Sequence, residues 1–584
     1  MVASNGGAPH RLTGGSGGAR GRRSRRPAPG PGGARGRRSR RLAPALSLIG
    51  ACLALAACGS SSSSSPSSSA STAPASSASA TGSASASTSA ASTGAAHAGG
   101  SLTVLESAGY SGSWPTGLDP SSNVNGAATQ DQMNAIFGDL WELGAGGKLI
   151  PDLATGYKFS GGGKTVTITL RSGVKFSDGT PFNAAAVVYN WNRDLKSPCT
   201  CKPTNFVIKS LSAPSPTTVK LTLAASDGAF IDQLQDSNFS WIASPTAVKK
   251  LGATYKLKPV GAGPFTVSSD TLSNTLVLAK NPSYWQSGHP YLNQLTFKTT
   301  ASDESALEAM QAGQAQAYPG MSTQKLLPSF KSKFTVATVP STSPYDIQFN
   351  TSIPPFNNIK AREAIYYATD TALIDQKLFN NVNPVGESFT APAGLFYEKD
   401  VPGYPTYDLA KAKALVKSLG GLNVNFFTIT QPATQDFMVA LQSMWKQAGI
   451  NASIHFYPLA GLIQQFTSKK WQIALQTAGA WDPAGGVGLA FRFQSMSPFS
   501  GVHDPKLDAL IAGGQASINP AQRKSFYDQA AAYIAKNAYG PFMFAVANWN
   551  IAAHGVTGPG LTTPIPPVAV NGPVLWEDVS TSAS

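Results

Sequence analysis

Between residues 408 and 475 the chain reads as helix, strand, helix, strand, helix, strand, an order that only a mostly parallel α/β unit accommodates. Asp408 stands where an N-cap belongs before Leu409–Leu419, and Gly420-Gly421 stops that segment. Thr434–Ala448 is stopped in the same way by Gly449. The short apolar runs Asn423–Phe427, Ala452–Phe456 and Gln472–Leu475 are the expected strands. Elsewhere Leu102–Leu105 and the alternating Thr165–Leu170 read as strands. Phe182–Asp194 reads as a helix with Asn183 as N-cap, Asp303 opens Glu304–Gln311, Lys360–Leu373 is helical, and Pro520–Asn537 is the last long helix. Residues 102–300 are richer in strands and turns, so the expected body is α/β with at least two unequal parts. That body, about 480 of the 584 residues, exceeds what one ordinary core organises.

Charge divides the chain differently. The net charge of +15 comes from 45 Lys and Arg against 30 Asp and Glu, but eleven of the basic residues are arginines between Arg11 and Arg41. No acidic residue precedes Glu106, and residues 101–584 carry a net charge of only +4. A nearly neutral body excludes clustered-charge binding of nucleic acid. In the basic tract Gly17–Arg26 recurs identically at Gly32–Arg41, a composition that buries nothing. Gly14–Gly18 matches a nucleophile elbow by letter, but within this tract it has no catalytic meaning. Leu42–Ala57 follows as an apolar run of 16 residues broken by Pro44 and Gly50. It is shorter than the roughly 20 residues a membrane span needs, and behind a basic n-region it reads as a signal peptide.

That signal ends in Leu55-Ala56-Ala57-Cys58, which resembles the bacterial lipoprotein box. Small residues admit the backbone to a peptidase, and the Cys58 thiol is expected to take a diacylglyceryl group before cleavage leaves it N-terminal. Two acyl chains then hold the protein on a bilayer. Arg40-Arg41 is half of a twin-arginine export signal, but Ala43 stands where that motif needs an aromatic residue or Leu. Gly59–Gly100 is nearly all Ser, Ala, Thr and Gly, a tether with a root-mean-square reach of about 35 Å. The expected organisation is thus a leader over 1–57 and a lipidated Cys58 with its tether over 58–100, ahead of the folded body.

Within that body the strings Leu149–Ala154 (LIPDLA), Thr167–Arg171, Gly173–Pro181 (GVKFSDGTP) and Asn183–Arg193 resemble the solute-binding lipoproteins of peptide-type ABC importers, extracellular solute-binding family 5. Leu118-Asp119-Pro120, Gly261–Phe265, Asn281–Trp285, Ala309–Gly313, Phe349-Asn350, Lys360–Thr371, Asp504-Pro505 and Arg523–Tyr527 continue the likeness in the family's order. Most of these have structural explanations, Asp178-Gly179 making a reversal and Gly261–Pro264 permitting positive φ before a strand. The resemblance implies a two-lobed, periplasmic-binding-protein-like clamshell with an extra third subdomain and mixed sheets flanked by helices. Lobe 1 would use 101–121, 259–345 and 546–584, with the family-specific subdomain at 122–258 and lobe 2 at 346–545.

It further implies a monomeric receptor, without enzymatic activity or cofactor, on the outer face of the bacterial cell membrane. Such a receptor passes a small solute to an ABC permease and ATPase. A solute sensor and an enzyme on the same scaffold are the alternatives. In the family an aromatic-Asp-Pro stretch after a lobe 2 strand faces the cleft. Trp481 and Asp482 match it, Trp481 as the stacking residue and Asp482 as a turn or cap. The family's additional upstream Asp, which pairs with a peptide's ammonium group, is missing beside Gly479 and Ala480, which argues against a zwitterionic peptide. Tyr110 and Trp114 are further candidates from lobe 1, and Asn350 is a candidate for hinge or ligand contact. The six histidines show no metal-ligand spacing. Cys199 and Cys201 are expected either as a strained loop disulfide or as two thiols, with a metal pair as a third choice.

Overall fold

The computed structural model describes residues 97–582 apart from 109–110, 125, 127, 145–146, 198–206, 431, 478–483 and 567–571. The leader, Cys58, the tether, Tyr110, Cys199, Cys201, Trp481 and Asp482 lie outside the described residues. The fold is α/β and two-lobed, and mixed sheets with flanking helices build it.

Three sheets carry the fold. The first has seven strands in the spatial order Thr335–Val339, Asn548–Ala552, Ala317–Met321, Ser101–Ser107, Gln294–Thr300, Thr275–Lys280, Phe265–Thr271. Ser101–Ser107 runs parallel to Gln294–Thr300, while Gln294–Thr300 and Thr275–Lys280 are antiparallel, so the sheet is mixed. One face buries Val104, Leu276, Leu278, Leu295 and Phe297 against Trp576. The second is an antiparallel sheet of Ala154–Ser160, Thr165–Leu170, Thr218–Leu223 and Ile208–Ser215. Its alternating residues Val166, Ile168, Leu170, Val219, Leu221 and Leu223 are buried, in a core shared with the helix Ala184–Lys196. That helix begins as expected, with the Asn183 side chain accepting the Ala186 N–H.

The third sheet has the order Tyr345–Phe349, Ile473–Thr477, Leu422–Ile429, Ile450–Tyr457. The last three are mutually parallel, and Tyr345–Phe349 is antiparallel to Ile473–Thr477. Helices Leu409–Ser418 and Pro432–Gln447 pack with these strands, and Asp408 caps the first of them by accepting the Lys411 N–H. The helix expected over Lys360–Leu373 is two helices, Ile359–Ala368 and Thr371–Phe379. Side-chain caps cut it: Thr369 Oγ1 donates back to Ile365 O, and Asp370 Oδ1 accepts the Leu373 N–H.

The conserved-looking glycines before Phe265 work differently from expectation. Gly261 and Gly263 do not have positive φ. They are needed for close approach, because a Cβ on Gly261 would stand 2.2 Å from Ile136 O, and one on Gly263 would stand 2.6 Å from Gly138 N.

Candidate functional site

In an open α/β sheet, ligands bind outside the carboxyl ends of the strands where the strand order reverses. The third sheet has such a point. From Leu422–Ile429 the chain passes to Ile450–Tyr457 on one side, then returns to Ile473–Thr477 on the other. The carboxyl ends there are Ile429 and Thr477. Thr428 Oγ1, donating to Leu475 O at 3.0 Å, joins the two strands. Thr477 is the last described residue before 478–483, which include Trp481 and Asp482.

The connection to the first sheet arrives at this end as well. Val339 pairs with Asn548 in the first sheet, and Tyr345 begins the third. The two chain segments between these sheets, 340–344 and 545–547, are therefore neighbours. Tyr345 N–H donates to Phe544 O at 2.9 Å, Met543 N–H to Tyr345 O at 2.8 Å and Ile347 N–H to Pro541 O at 3.0 Å. These bonds pair 345–347 with 541–544 as a short antiparallel ribbon along the edge of the third sheet. Tyr345 lies opposite Thr477 in register, so the ribbon enters beside the switch point.

Around this end the chain gathers buried polar groups. Ser341, Thr342 and Ser343 are buried in the first connection, and Ala391 N–H donates to Thr342 O at 2.9 Å. The hydroxyls of Ser388 and Thr390 are buried on the same approach and find no hydrogen-bond partner among the described residues. Gly485 closes the ring. It has φ of 68° at the start of the helix Gly486–Phe493, and a Cβ there would stand 2.6 Å from Thr390 Cγ2.

Along Tyr345–Phe349 the odd positions face the apolar core, while Asp346 and Gln348 alternate to the other face. Gln348 Nε2 donates to Arg492 O at 2.7 Å and Phe499 O at 2.9 Å. Arg492 Nε donates to Thr477 O at 3.1 Å, so a buried guanidinium braces the last residue before 478–483. Among the described residues, no other residue donates a hydrogen bond to the buried carboxylate of Asp346. Burial pushes its pKa up to about 7, against the pull of Arg492. Sequence reasoning missed Asp346 and Arg492. The visible signal was the alternation in Tyr345-Asp346-Ile347-Gln348-Phe349, which places an acid on the second face of a strand otherwise built for burial.

Two sequence candidates fall elsewhere. Trp114 is fully buried in the core of the first sheet, where its Nε1 donates to Asp270 Oδ1 at 3.0 Å and its N–H to Ser273 Oγ at 2.8 Å. A core against the strands absorbs both faces of the indole. Asn350 follows Phe349, which pairs with Ile473, the first residue of its strand, so Asn350 lies at the end of the sheet away from the ribbon. Its side chain donates to Lys469 O and accepts the Ser352 N–H, which makes it a turn brace. The structure does not bring it together with the switch point. Among the described residues there is no group of His, Cys, Asp and Glu able to hold a metal ion, and no helix long and apolar enough to cross a membrane.

Residues 148–495 match the family described as bacterial extracellular solute-binding proteins, family 5 middle. The chain is 32% identical over 347 residues to the glutathione-binding protein GsiB of Salmonella typhi, covering 58% of this chain and 67% of that protein. Among solved structures it resembles the ABC transporter substrate-binding protein CtaP of Listeria monocytogenes, with a TM-score of 0.71, 20% identity and coverage of 83% of this chain and all of that one. A dipeptide-binding protein of Pseudoalteromonas sp. SM9913, in complex with Met-Leu, gives a TM-score of 0.66 at 22% identity, with coverage of 83% and 100%.

Proposed function

The chain belongs to family 5 of the bacterial extracellular solute-binding proteins, and from that premise we propose that it is a lipid-anchored receptor delivering a small peptide-like solute to an ABC importer. Membership makes it an extracytoplasmic solute-binding protein. The finer reading adds anchoring through Cys58, docking of the closed form on a permease and ATPase, and capture without turnover. In this reading lobe 1 is 101–121, 259–345 and 546–584 with its subdomain at 122–258, and lobe 2 is 346–545.

The observation that carries it is at Thr477: the switch point of the third sheet and the crossings between the first and third sheets lie at one end, and Thr477 is the last described residue before 478–483. A solute held there touches both lobes, so closing around it gains contacts that the open form lacks, which is the condition for a ligand to shift the equilibrium. Trp481 would stack on the solute, and Asp482 would shape the turn. Because Ala478-Gly479-Ala480 supplies no acid, recognition of a free ammonium group is not expected from this stretch. Small-angle scattering and tryptophan fluorescence of the full chain test the reading with glutathione, Met-Leu and N-acetylated Met-Leu. Saturable compaction with at least one of these is expected, and acetylation should weaken binding less than threefold. No compaction with any of them, together with unchanged uptake in a deletion strain, would reject it.

A further inference from the structure

The lobes also touch away from the connections at 340–344 and 545–547. The loop after the strand Thr218–Leu223 reaches the end of the helix Pro505–Ala516, about 290 residues away in sequence. The last carbonyls of a helix have no partner within it. Here two of them take donors from the other lobe: Gly228 N–H donates to Gln515 O at 2.7 Å, and Ser226 Oγ donates to Ala516 O at 2.6 Å. The approach is so close that a Cβ on Gly228 would stand 1.8 Å from Ser517 O. From the next helix, Pro520–Lys536, Arg523 Nη1 reaches Asp232 Oδ2 at 2.7 Å and Gly228 O at 3.2 Å. The ion pair is largely covered, its side chains 7% and 14% exposed. Asp227 shapes the loop by accepting the Ala229 N–H at 2.9 Å.

We propose that this seam is a latch that sets the balance between open and closed receptor, with Arg523 as its positioning residue. The proposal rests on the receptor reading above. Its physical basis is the kind of contact involved. The ion pair and hydrogen bonds named above join polar groups that water can satisfy when the lobes part, so opening exchanges them for hydrated ones. Among the described residues no strand pairing crosses the seam. Apparent affinity for a solute scales with the fraction of molecules able to close, so the latch tunes binding without touching the solute.

Hydrogen exchange of the full chain, read by mass spectrometry without added solute, tests it alongside small-angle scattering. Arg523→Gln and Asp232→Asn are each expected to speed exchange in 226–232 and 513–518 about tenfold and to enlarge the particle, with 345–349 unchanged. The double variant Arg523→Asp/Asp232→Arg should restore much of the protection. Unaltered exchange at the seam in both single variants overturns the proposal. So does acceleration spread equally over 345–349, which would mark a permanent structural tie. If Arg523→Gln does not fold, Ser226→Ala reads the same segments, and unaltered exchange at 513–518 in that variant counts against the latch. Glutathione separates this proposal from the one beneath it. If it compacts the wild-type chain, Arg523→Gln should weaken its binding about tenfold. If it does not, glutathione is excluded as the solute, and the exchange pattern alone upholds or overturns the latch.

Discussion

Two contacts join distant parts of the chain, and their chemistry is opposite. At the ribbon, Tyr345 and Ile347 exchange backbone hydrogen bonds with 541–544, and their side chains are buried in the core beside Phe544 and Met543. At the seam, the contacts are an ion pair, a hydroxyl and one glycine amide. A backbone ladder sealed in apolar surroundings cannot part without leaving amides unsatisfied, whereas a polar seam opens into water. The same contrast holds for two consecutive helices. The carbonyls of Asn537 and Ala538, at the end of Pro520–Lys536, accept hydrogen bonds from Arg362 within lobe 2, while those ending Pro505–Ala516 depend on the other lobe. Fixed and releasable closures can therefore be told apart by what caps the backbone.

The largest effect should come from breaking the ribbon. Ile347→Pro removes the N–H donated to Pro541 O and a fully buried side chain, so a loss of about 3 kcal/mol or more is expected, read as a large fall in denaturation midpoint. Arg362→Ala comes next. It strands the carbonyls of Phe356, Asn537 and Ala538 and should cost about 3 kcal/mol in urea unfolding, a change in stability without faster exchange at 226–232.

A pH series reads the buried carboxylates, among them Asp346 and Asp227 as well as those of lobe 1. Burial raises the pKa values of Asp131 and Asp139 to about 7, while Ser240 and Trp241 pull Asp139 down and Glu577 pushes it up. A folded-state pKa above the unfolded value near 4 gives stability that is fully present below the unfolded pKa and is lost as pH rises through about 7. Thermal unfolding should therefore be higher at pH 6 than at pH 8.5, and Asp139→Asn should flatten the difference. An unchanged slope in that variant would place the titration elsewhere. The smallest effect is Ser226→Ala, with about 1 kcal/mol expected from one lost hydroxyl bond, visible in local exchange before it is visible in the melting temperature.

Much of the fold was legible because local rules carry it. Asn183 and Asp408 cap the helices they precede, and Thr165–Leu170 is a strand with the expected alternation. The split at Thr369-Asp370 was not legible, because both residues can sit inside or outside a helix and only their hydrogen bonds decide. The site was legible in part. The Trp481–Asp482 stretch was singled out from a motif, and its flank Thr477 emerges at the switch point. Trp114 was singled out from the Gly/Ser-rich loop ahead of Leu118-Asp119-Pro120 and Asn350 from its place after a strand, and neither signal says which way a side chain faces. Gly261 and Gly263 were recognised as necessary for a reason that a neighbouring chain segment, invisible in sequence, replaces with another.

By itself the sequence determined the division into a basic N-terminal tract and a nearly neutral body, the α/β alternation and the family, since these rest on composition, periodicity and ordered motifs. Only the tertiary structure decided that Asp346 and Arg492 are buried together, that 345–347 and 541–544 pair as one ribbon, and that Arg523 meets Asp232. Each of these joins positions from distant parts of the chain, and it is the packing of sheets and helices, not any local preference, that brings their side chains within reach.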